Sequence, residues 1–118
     1  MSIAVTRGDV VEVNLDPTVG TEIQKTRRCV VVQNNAGNRN SNRTIIVPAS
    51  AADKPLAKPF PVWVSVSPGD GGFTKNAVIM CDQIRAIDKV RIVRSCGRLS
   101  DQAMERVDAA LKISLALR

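Results

Sequence analysis

The stretch that decides the fold class is residues 10–20, which read VVEVNLDPTVG. In its first half apolar and polar residues alternate, and this period of two predicts a β-strand with one buried face. The second half runs from Asp16-Pro17 to Gly20. These residue types favour a turn, which ends the strand. Short strands separated by turns recur along the chain, so we expect a mainly-β fold.

Six further strands are predicted where short β-branched or alternating apolar runs lie between turn signals. They are residues 29–32, 44–47, 62–66, 77–81, 84–87 and 90–93. Pro48 is expected to end the second of these, and the Asn-rich residues 34–42 are interpreted as a polar loop. Three prolines disfavour regular structure in residues 54–61, and residues 67–72 are predicted to form a turn.

The last part of the chain differs, because its apolar residues recur at helical spacing. They are Met104, Val107, Leu111 and Leu115. With Ser100 as N-cap, we predict an amphipathic helix over residues 101–117 that packs on the sheet. A membrane-surface helix is disfavoured because the polar face is neutral. The expected architecture is a small barrel or strongly bent sheet closed by this helix, in one domain over residues 1–118.

The charge of the chain favours an anionic partner. Its 118 residues carry a net charge of +6. Five basic residues lie between Glu22 and Arg43 and five more between Arg85 and Arg98, each stretch with a single acid. The positive field therefore belongs to the β-rich part, which favours nucleic acid, an acidic protein segment or an anionic membrane as partner.

The cysteines and the apolar segments predict a cytoplasmic protein. Cys29, Cys81 and Cys96 are odd in number and widely spaced, which favours three reduced core thiols over a disulfide framework. No apolar run approaches the roughly 20 residues that span a bilayer, and the first residues lack the apolar stretch of a signal peptide. We expect no association with a membrane.

The residue types limit the chemistry. The chain has no histidine, no paired-cysteine spacing and no glycine-rich phosphate loop, so we expect neither a metal nor a cofactor. Arginine, hydroxyl, amide and carboxylate groups remain. They suit cleavage of RNA, which supplies its own nucleophile, the 2′-hydroxyl beside the scissile phosphate. With two Phe, one Trp and no Tyr, a base-stacking sheet platform is disfavoured.

Four segments resemble the MazF/PemK family of toxin endoribonucleases. They are residues 7–22 (RGDVVEVNLDPTVGTE), 27–34 (RRCVVVQN), 47–50 (VPAS) and 82–89 (DQIRAIDK). The C-terminal helix also fits, so the likeness spans nearly the whole chain in the right order. It implies an SH3-like barrel, a homodimer, and metal-independent cleavage of single-stranded mRNA at short motifs. It also implies a cognate antitoxin whose acidic segment covers the RNA site.

The resemblance implies three catalytic positions. Arg27 matches the family's catalytic arginine, which stabilises the phosphate. Ser50 stands where a threonine is usual, keeping the hydroxyl and losing the methyl group. Glu22 matches a loop carboxylate that some members use as a base, although it could instead pair with Lys25 or Arg28.

The residues expected to bind RNA are Thr21, Lys25, Arg28, Arg39, Arg43, Gln83 and Arg85. Arg28 departs from the family, which usually has proline there. Adjacent residues of a strand point to opposite faces, so only one of Arg27 and Arg28 is expected to face the phosphate. Gln83 could also be a structural amide, and a solvated loop is the alternative for Arg39 and Arg43.

Two other functions remain open at this stage. The same small barrel occurs in toxins that poison DNA gyrase, and a fold does not fix a function. Those relatives end in Trp-Gly-Ile, whereas this chain ends in residues 116–118, ALR. A non-catalytic nucleic-acid-binding module is the second alternative, and it would bind RNA without cutting it.

Overall fold

The computed structural model describes residues 3–22, 25–52 and 60–118. The strands in these ranges are β1 (Asp9–Asn14), β2 (Thr26–Val31), β3 (Arg43–Ala51), β4 (Trp63–Val66), β5 (Ala77–Met80), β6 (Arg85–Asp88) and β7 (Ile92–Arg98). The α-helices are α1 (Asn35–Asn40) and α2 (Asp101–Ser114). The mainly-β fold with a C-terminal helix is therefore confirmed.

The strands form one antiparallel, strongly bent sheet. Its order is β4-β5-β3-β2-β1-β7, and β6 pairs with β3 beside this path. Among the described strands, the edge strands β4 and β7 do not pair with each other, so the barrel is not closed. The bend lies in β3, which pairs with β6 through Ile46 and with β5 from Ala49 onward.

The alternation in β1 sends its side chains to two separate hydrophobic clusters. Val10 joins the larger cluster, which also receives the inner face of α2. Val11 and Val13 join the second cluster on the other face, where they meet Ile46. All four side chains are fully buried. The strand is thus held from both faces, and its polar residue Glu12 lies between two core positions.

Helix α2 begins where the sequence predicts and ends earlier. The Ser100 hydroxyl accepts a hydrogen bond from the Ala103 amide, and Val107 is buried against the sheet. The predicted end at residue 117 is wrong, because Ala116 takes a left-handed conformation (φ 56°) and the Leu117 amide bonds back to the Lys112 carbonyl. In the described ranges, no helix is long and apolar enough to span a bilayer.

The Asn-rich segment is a helix and not only a loop. Asn34 caps α1 by accepting a bond from the Gly37 amide at 2.8 Å. Asn38 is buried, and its Oδ1 accepts bonds from the Thr44 hydroxyl (2.7 Å) and the Gln33 amide (3.0 Å). These tertiary bonds stabilise six residues whose own helix propensity is weak.

Two further expectations about strands were wrong. Pro48 does not end β3, because it lies where the strand exchanges β6 for β5, and proline is tolerated where sheet pairing is interrupted. The last strand is Ile92–Arg98, because residues 89–91 form a one-turn 3-10 helix capped by Asp88. The predicted turn over residues 67–72 contains the 3-10 turn Asp70–Gly72. Residues 54–59 of the proline-rich stretch lie outside the described residues.

Candidate active site

A cavity of about 340 Å³ lies where β2 begins and β3 ends, and we call it the arginine cavity. Six of its lining residues are Glu12, Arg27, Arg28, Ser50, Lys75 and Arg94. Four of these six are cations and one is an acid. The cavity is therefore suited to a phosphate-bearing ligand.

The pairing of β2 with β3 brings Arg27 and Ser50 together. Cys29 pairs with Pro48 in this antiparallel ladder. Two residues beyond that pair, on the same face of each strand, are Arg27 and Ser50. Both side chains line the arginine cavity. The two proposed catalytic residues, which are distant in sequence, thus share one cavity.

Arg28 also lines the arginine cavity, although it lies on the opposite strand face from Arg27. Its Nη1 donates to the Gly72 carbonyl at 2.7 Å, and its guanidinium lies 5.9 Å from the centre of the Phe73 ring. The cavity lies at the bend of the sheet and takes residues from both faces. Both arginines thus line this cavity, and the expectation that only one of them faces the phosphate stays a prediction.

The position of Gly72 explains how that carbonyl is presented to Arg28. Gly72 has φ 78°, and an added Cβ would overlap the Cys96 carbonyl oxygen. Only glycine meets both conditions, because other residues rarely adopt this φ and none has room there. The close approach of this turn to β7 fixes the carbonyl that Arg28 binds.

Sequence reasoning missed the Glu12–Arg94 ion pair in the arginine cavity. The two residues are direct partners in the β1–β7 ladder, and Arg94 Nε donates to Glu12 Oε2. This bond raises the pKa of Arg94, so the guanidinium stays charged. The clustering of basic residues between Arg85 and Arg98 was a signal, but it did not say which of them reaches the site.

A second cavity, of about 380 Å³, contains other predicted site residues, and we call it the carboxylate cavity. Its polar lining is Thr21, Glu22, Asp82, Gln83 and Arg85, and its apolar lining is Leu15, Ile46, Pro48 and Ile84. The two cavities are neighbours, because Pro48 and Ser50 lie on one face of β3, about 7 Å apart. The structure therefore divides the predicted site into two adjoining parts.

Hydrogen bonds hold the polar side chains of the carboxylate cavity. Glu22 Oε1 accepts from the Val19 amide at 2.7 Å, and no ion pair of the described residues joins it to Lys25 or Arg28. Arg85 Nη1 donates to the Leu15 carbonyl at 2.8 Å. Both side chains thus fix the end of β1 and the loop after it, in addition to lining the cavity.

Three predicted RNA-binding residues line neither cavity. Lys25 is exposed beside the end of β1, where its amide donates to Asp16. Arg39 lies in the last turn of α1. Arg43 begins β3, seven residues before Ser50, which is about 23 Å along the strand. The structure does not bring Arg39 and Arg43 into contact with the candidate site.

The three cysteines are free, and two of them are chemically protected. Burial raises the pKa of Cys29 and of Cys81 to about 12. Cys96 is only partly buried and packs against the larger hydrophobic cluster. A thiol with a raised pKa is a poor nucleophile. Cys29 and Cys81 are thus packing residues.

Comparison with known proteins identifies the family. Residues 6–115 match the model of the "PemK-like, MazF-like toxin of type II toxin-antitoxin system". The chain is 44% identical over 113 residues to Endoribonuclease EndoA of Bacillus subtilis (strain 168), covering 96% of each.

Solved structures agree in fold. A MazF structure from Deinococcus radiodurans has a TM-score of 0.81 at 21% identity and covers 98% of this chain and 99% of that one. A mycobacterial endoribonuclease, solved with its cognate antitoxin, has a TM-score of 0.78 at 23% identity and covers 98% of each. Taken with the family match, these likenesses lead to one conclusion: the chain belongs to the PemK-like, MazF-like toxin family of type II toxin–antitoxin systems.

Proposed function

We propose that this chain is the toxin of a type II toxin–antitoxin pair and cleaves single-stranded mRNA by metal-independent attack of the RNA's own 2′-hydroxyl. The observation that carries the proposal is the meeting of Arg27 and Ser50 in one basic cavity. Membership of the family and the 44% identity to an endoribonuclease support it.

The arginine cavity supplies the groups that this reaction needs. The 2′-oxygen gives its proton to a base and bonds to phosphorus while the bond to the 5′-oxygen breaks. The 5′-oxygen takes up a proton as it leaves, so the products are a 2′,3′-cyclic phosphate and a 5′-hydroxyl. Arg27 donates charge-assisted hydrogen bonds to the phosphate as negative charge develops, and Ser50 adds a hydroxyl donor beside it. Such donors typically contribute about 3–4 kcal/mol each to stabilisation of a transition state.

The carboxylate cavity serves the nucleotide next to the cut. It adjoins the arginine cavity along β3, because Pro48 of the one cavity and Ser50 of the other are about 7 Å apart on that strand. Thr21, Gln83 and Arg85 line it and provide hydrogen-bonding groups for a base or sugar. Glu22 is the proposed base, because it lines the cavity that adjoins the arginine cavity and its carboxylate can accept a proton.

The proposed partners follow from family and charge. A cognate antitoxin binds the toxin, as in the mycobacterial complex, with an acidic segment that competes with RNA for the basic cavity. The toxin acts as a homodimer in the cytoplasm, where its mRNA substrate is. Lys25, Arg39 and Arg43 contribute to RNA binding at a distance from the cut.

A cleavage assay on a long single-stranded RNA in excess EDTA tests the proposal. We expect cuts at a few sites that leave 2′,3′-cyclic phosphates, and no cuts in a DNA copy of the same sequence, which lacks the 2′-hydroxyl. Intact RNA, cleavage of DNA, or ends with a 5′-phosphate would contradict the mechanism.

A further inference from the structure

The Glu12–Arg94 ion pair lies in the arginine cavity but has no part in the mechanism above. Arg94 comes from β7 and Glu12 from β1, opposite each other in the ladder. The Arg94 side chain is 57% exposed, so its removal is not expected to affect the hydrophobic core. The pair thus points to a role in binding and not in folding.

The geometry leaves most of the Arg94 guanidinium available to a ligand. Its Nε–H is bonded to Glu12. An arginine has four further N–H donors, and among the described residues no bond from them is found. Glu12 fixes the direction of the side chain, so less rotamer freedom is lost when these donors bind a second anion.

The positive charge of the arginine cavity favours an anion beside the Arg94 guanidinium. Arg27, Arg28 and Lys75 line the same cavity, so Glu12 neutralises only part of its positive charge. Arg27 and Ser50 are assigned to the scissile phosphate. A strand of RNA entering the cavity also carries the neighbouring phosphates, and Arg94 supplies a guanidinium for one of them.

We propose that Arg94, held in place by Glu12, binds a backbone phosphate of the RNA next to the scissile phosphate. This inference rests on the proposed function, because it assumes RNA in the arginine cavity. It assigns Arg94 a binding role and leaves the chemical step to Arg27 and Ser50.

The chain contains a matched control for this role. Arg98 pairs with Asp9 in the same β1–β7 ladder, and its Nη1 lies 3.4 Å from the carboxylate. Its side chain is 59% exposed, close to the value for Arg94. Arg98 does not line the arginine cavity. Replacing either arginine with glutamine removes one charge and one cross-strand ion pair, but only Arg94 faces the proposed RNA path.

The experiment compares the affinities of wild type, Arg94→Gln and Arg98→Gln for one oligonucleotide at several salt concentrations. The probe is a short RNA around the strongest cut site of the wild-type protein, with a 2′-deoxy nucleotide at the cut so that it stays intact. Arg94→Gln should bind about tenfold more weakly, and the slope of log affinity against log salt should become shallower by about 0.7, the value for one phosphate contact on a single strand. Arg98→Gln should stay within about twofold of wild type.

The proposal is overturned if the two variants agree within about twofold, or if Arg94→Gln loses affinity with an unchanged salt slope. Thermal unfolding of each variant checks that the fold is intact. The test is separate from that of the proposed function. A wild-type protein that cuts no RNA refutes the proposed function itself, whereas a wild type that cuts RNA, with equal behaviour of the two variants, refutes only the role of Arg94.

Discussion

Arg27 on β2 and Ser50 on β3 occupy the next same-face positions beyond the paired Cys29 and Pro48, and both line one basic cavity. Their proximity depends on the register of two strands and not on any loop. Side chains on paired strands are positioned more precisely than side chains on loops. The proposed phosphate site is therefore preformed by the sheet.

The Ser50 hydroxyl can be tested with two variants. Ser50→Ala removes the donor to the phosphate and should lower the rate of RNA cleavage by about 100-fold or more. Ser50→Thr keeps the hydroxyl and should retain most of the activity. Single-turnover cleavage of a defined RNA measures both rates. Equal rates for the alanine and threonine variants would show that the hydroxyl has no part in the reaction.

The identity of the base can be tested by comparing two carboxylates. Glu22→Gln should reduce the cleavage rate by about 100-fold or more, because it removes the proposed proton acceptor. Glu12→Gln should leave the chemical step within about fivefold, because Glu12 is assigned to Arg94 and not to the 2′-hydroxyl. Single-turnover rates at saturating enzyme separate this step from binding. The opposite order of the two rates would move the base from the carboxylate cavity to the arginine cavity.

The approach of Gly72 to β7 predicts a large effect on stability. Gly72→Ala should lower the free energy of unfolding by at least about 2 kcal/mol, because the added Cβ meets the Cys96 carbonyl and the backbone has a positive φ. Gly69→Ala is the control, since Gly69 also has a positive φ (98°) but an added Cβ there meets nothing within 4 Å. Urea unfolding measures the difference. Similar losses in the two variants would contradict the close approach.

The cysteines predict a pattern of alkylation. With pKa values of about 12, Cys29 and Cys81 have about one thiolate in ten thousand at about pH 8. Iodoacetamide should therefore modify Cys96 first and the other two only after unfolding. Mass spectrometry of the labelled peptides checks this order. Labelling of Cys29 in the native protein at the rate of Cys96 would contradict its burial.

The same two thiols predict how stability depends on pH. Their pKa is 9.0 when unfolded and about 12 when folded, so the folded state keeps protons that the unfolded state releases. The contribution of these two thiols to the free energy of unfolding is constant below about pH 9. It is lost as the pH rises from there towards 12. The urea midpoint should fall over this range, and the fall should be smaller in Cys29→Ala when each protein is compared with its own value at neutral pH. An identical fall in the two proteins would exclude Cys29 as a cause.

The fold was predictable where one local pattern decided it, and the errors lie where distant residues decided. Alternation in residues 11–16 predicted β1, and the helical spacing after Ser100 predicted α2. Helix α1 could not be predicted from its Asn-rich sequence, since its stability comes from bonds of Asn38 to Gln33 and Thr44, which both lie outside the helix. The continuation of β3 past Pro48 depends on an exchange of neighbouring strands that a local pattern does not show.

The candidate site, like the fold, was predictable only in part. The resemblance indicated Arg27 and Ser50, and the structure places them in one cavity. The resemblance gave no sign that Glu22 would lie in the carboxylate cavity or that Arg94 would lie in the arginine cavity. These relationships arise from the bend in the sheet and the β1–β7 register, which only the folded chain shows.

The central claim is that the arginine cavity is where RNA is cut. The most direct measurement is the single-turnover cleavage rate of Arg27→Ala beside Arg39→Ala, in excess EDTA and with enzyme at saturating concentration so that differences in RNA binding do not affect the rate. Both variants lose one positive charge, but Arg27 lines the cavity and Arg39 lies on α1. We predict that Arg27→Ala loses at least about 100-fold in rate and that Arg39→Ala cuts at nearly the wild-type rate. Equal rates for the two variants would contradict the account, because the arginine cavity would then not be the place of cleavage.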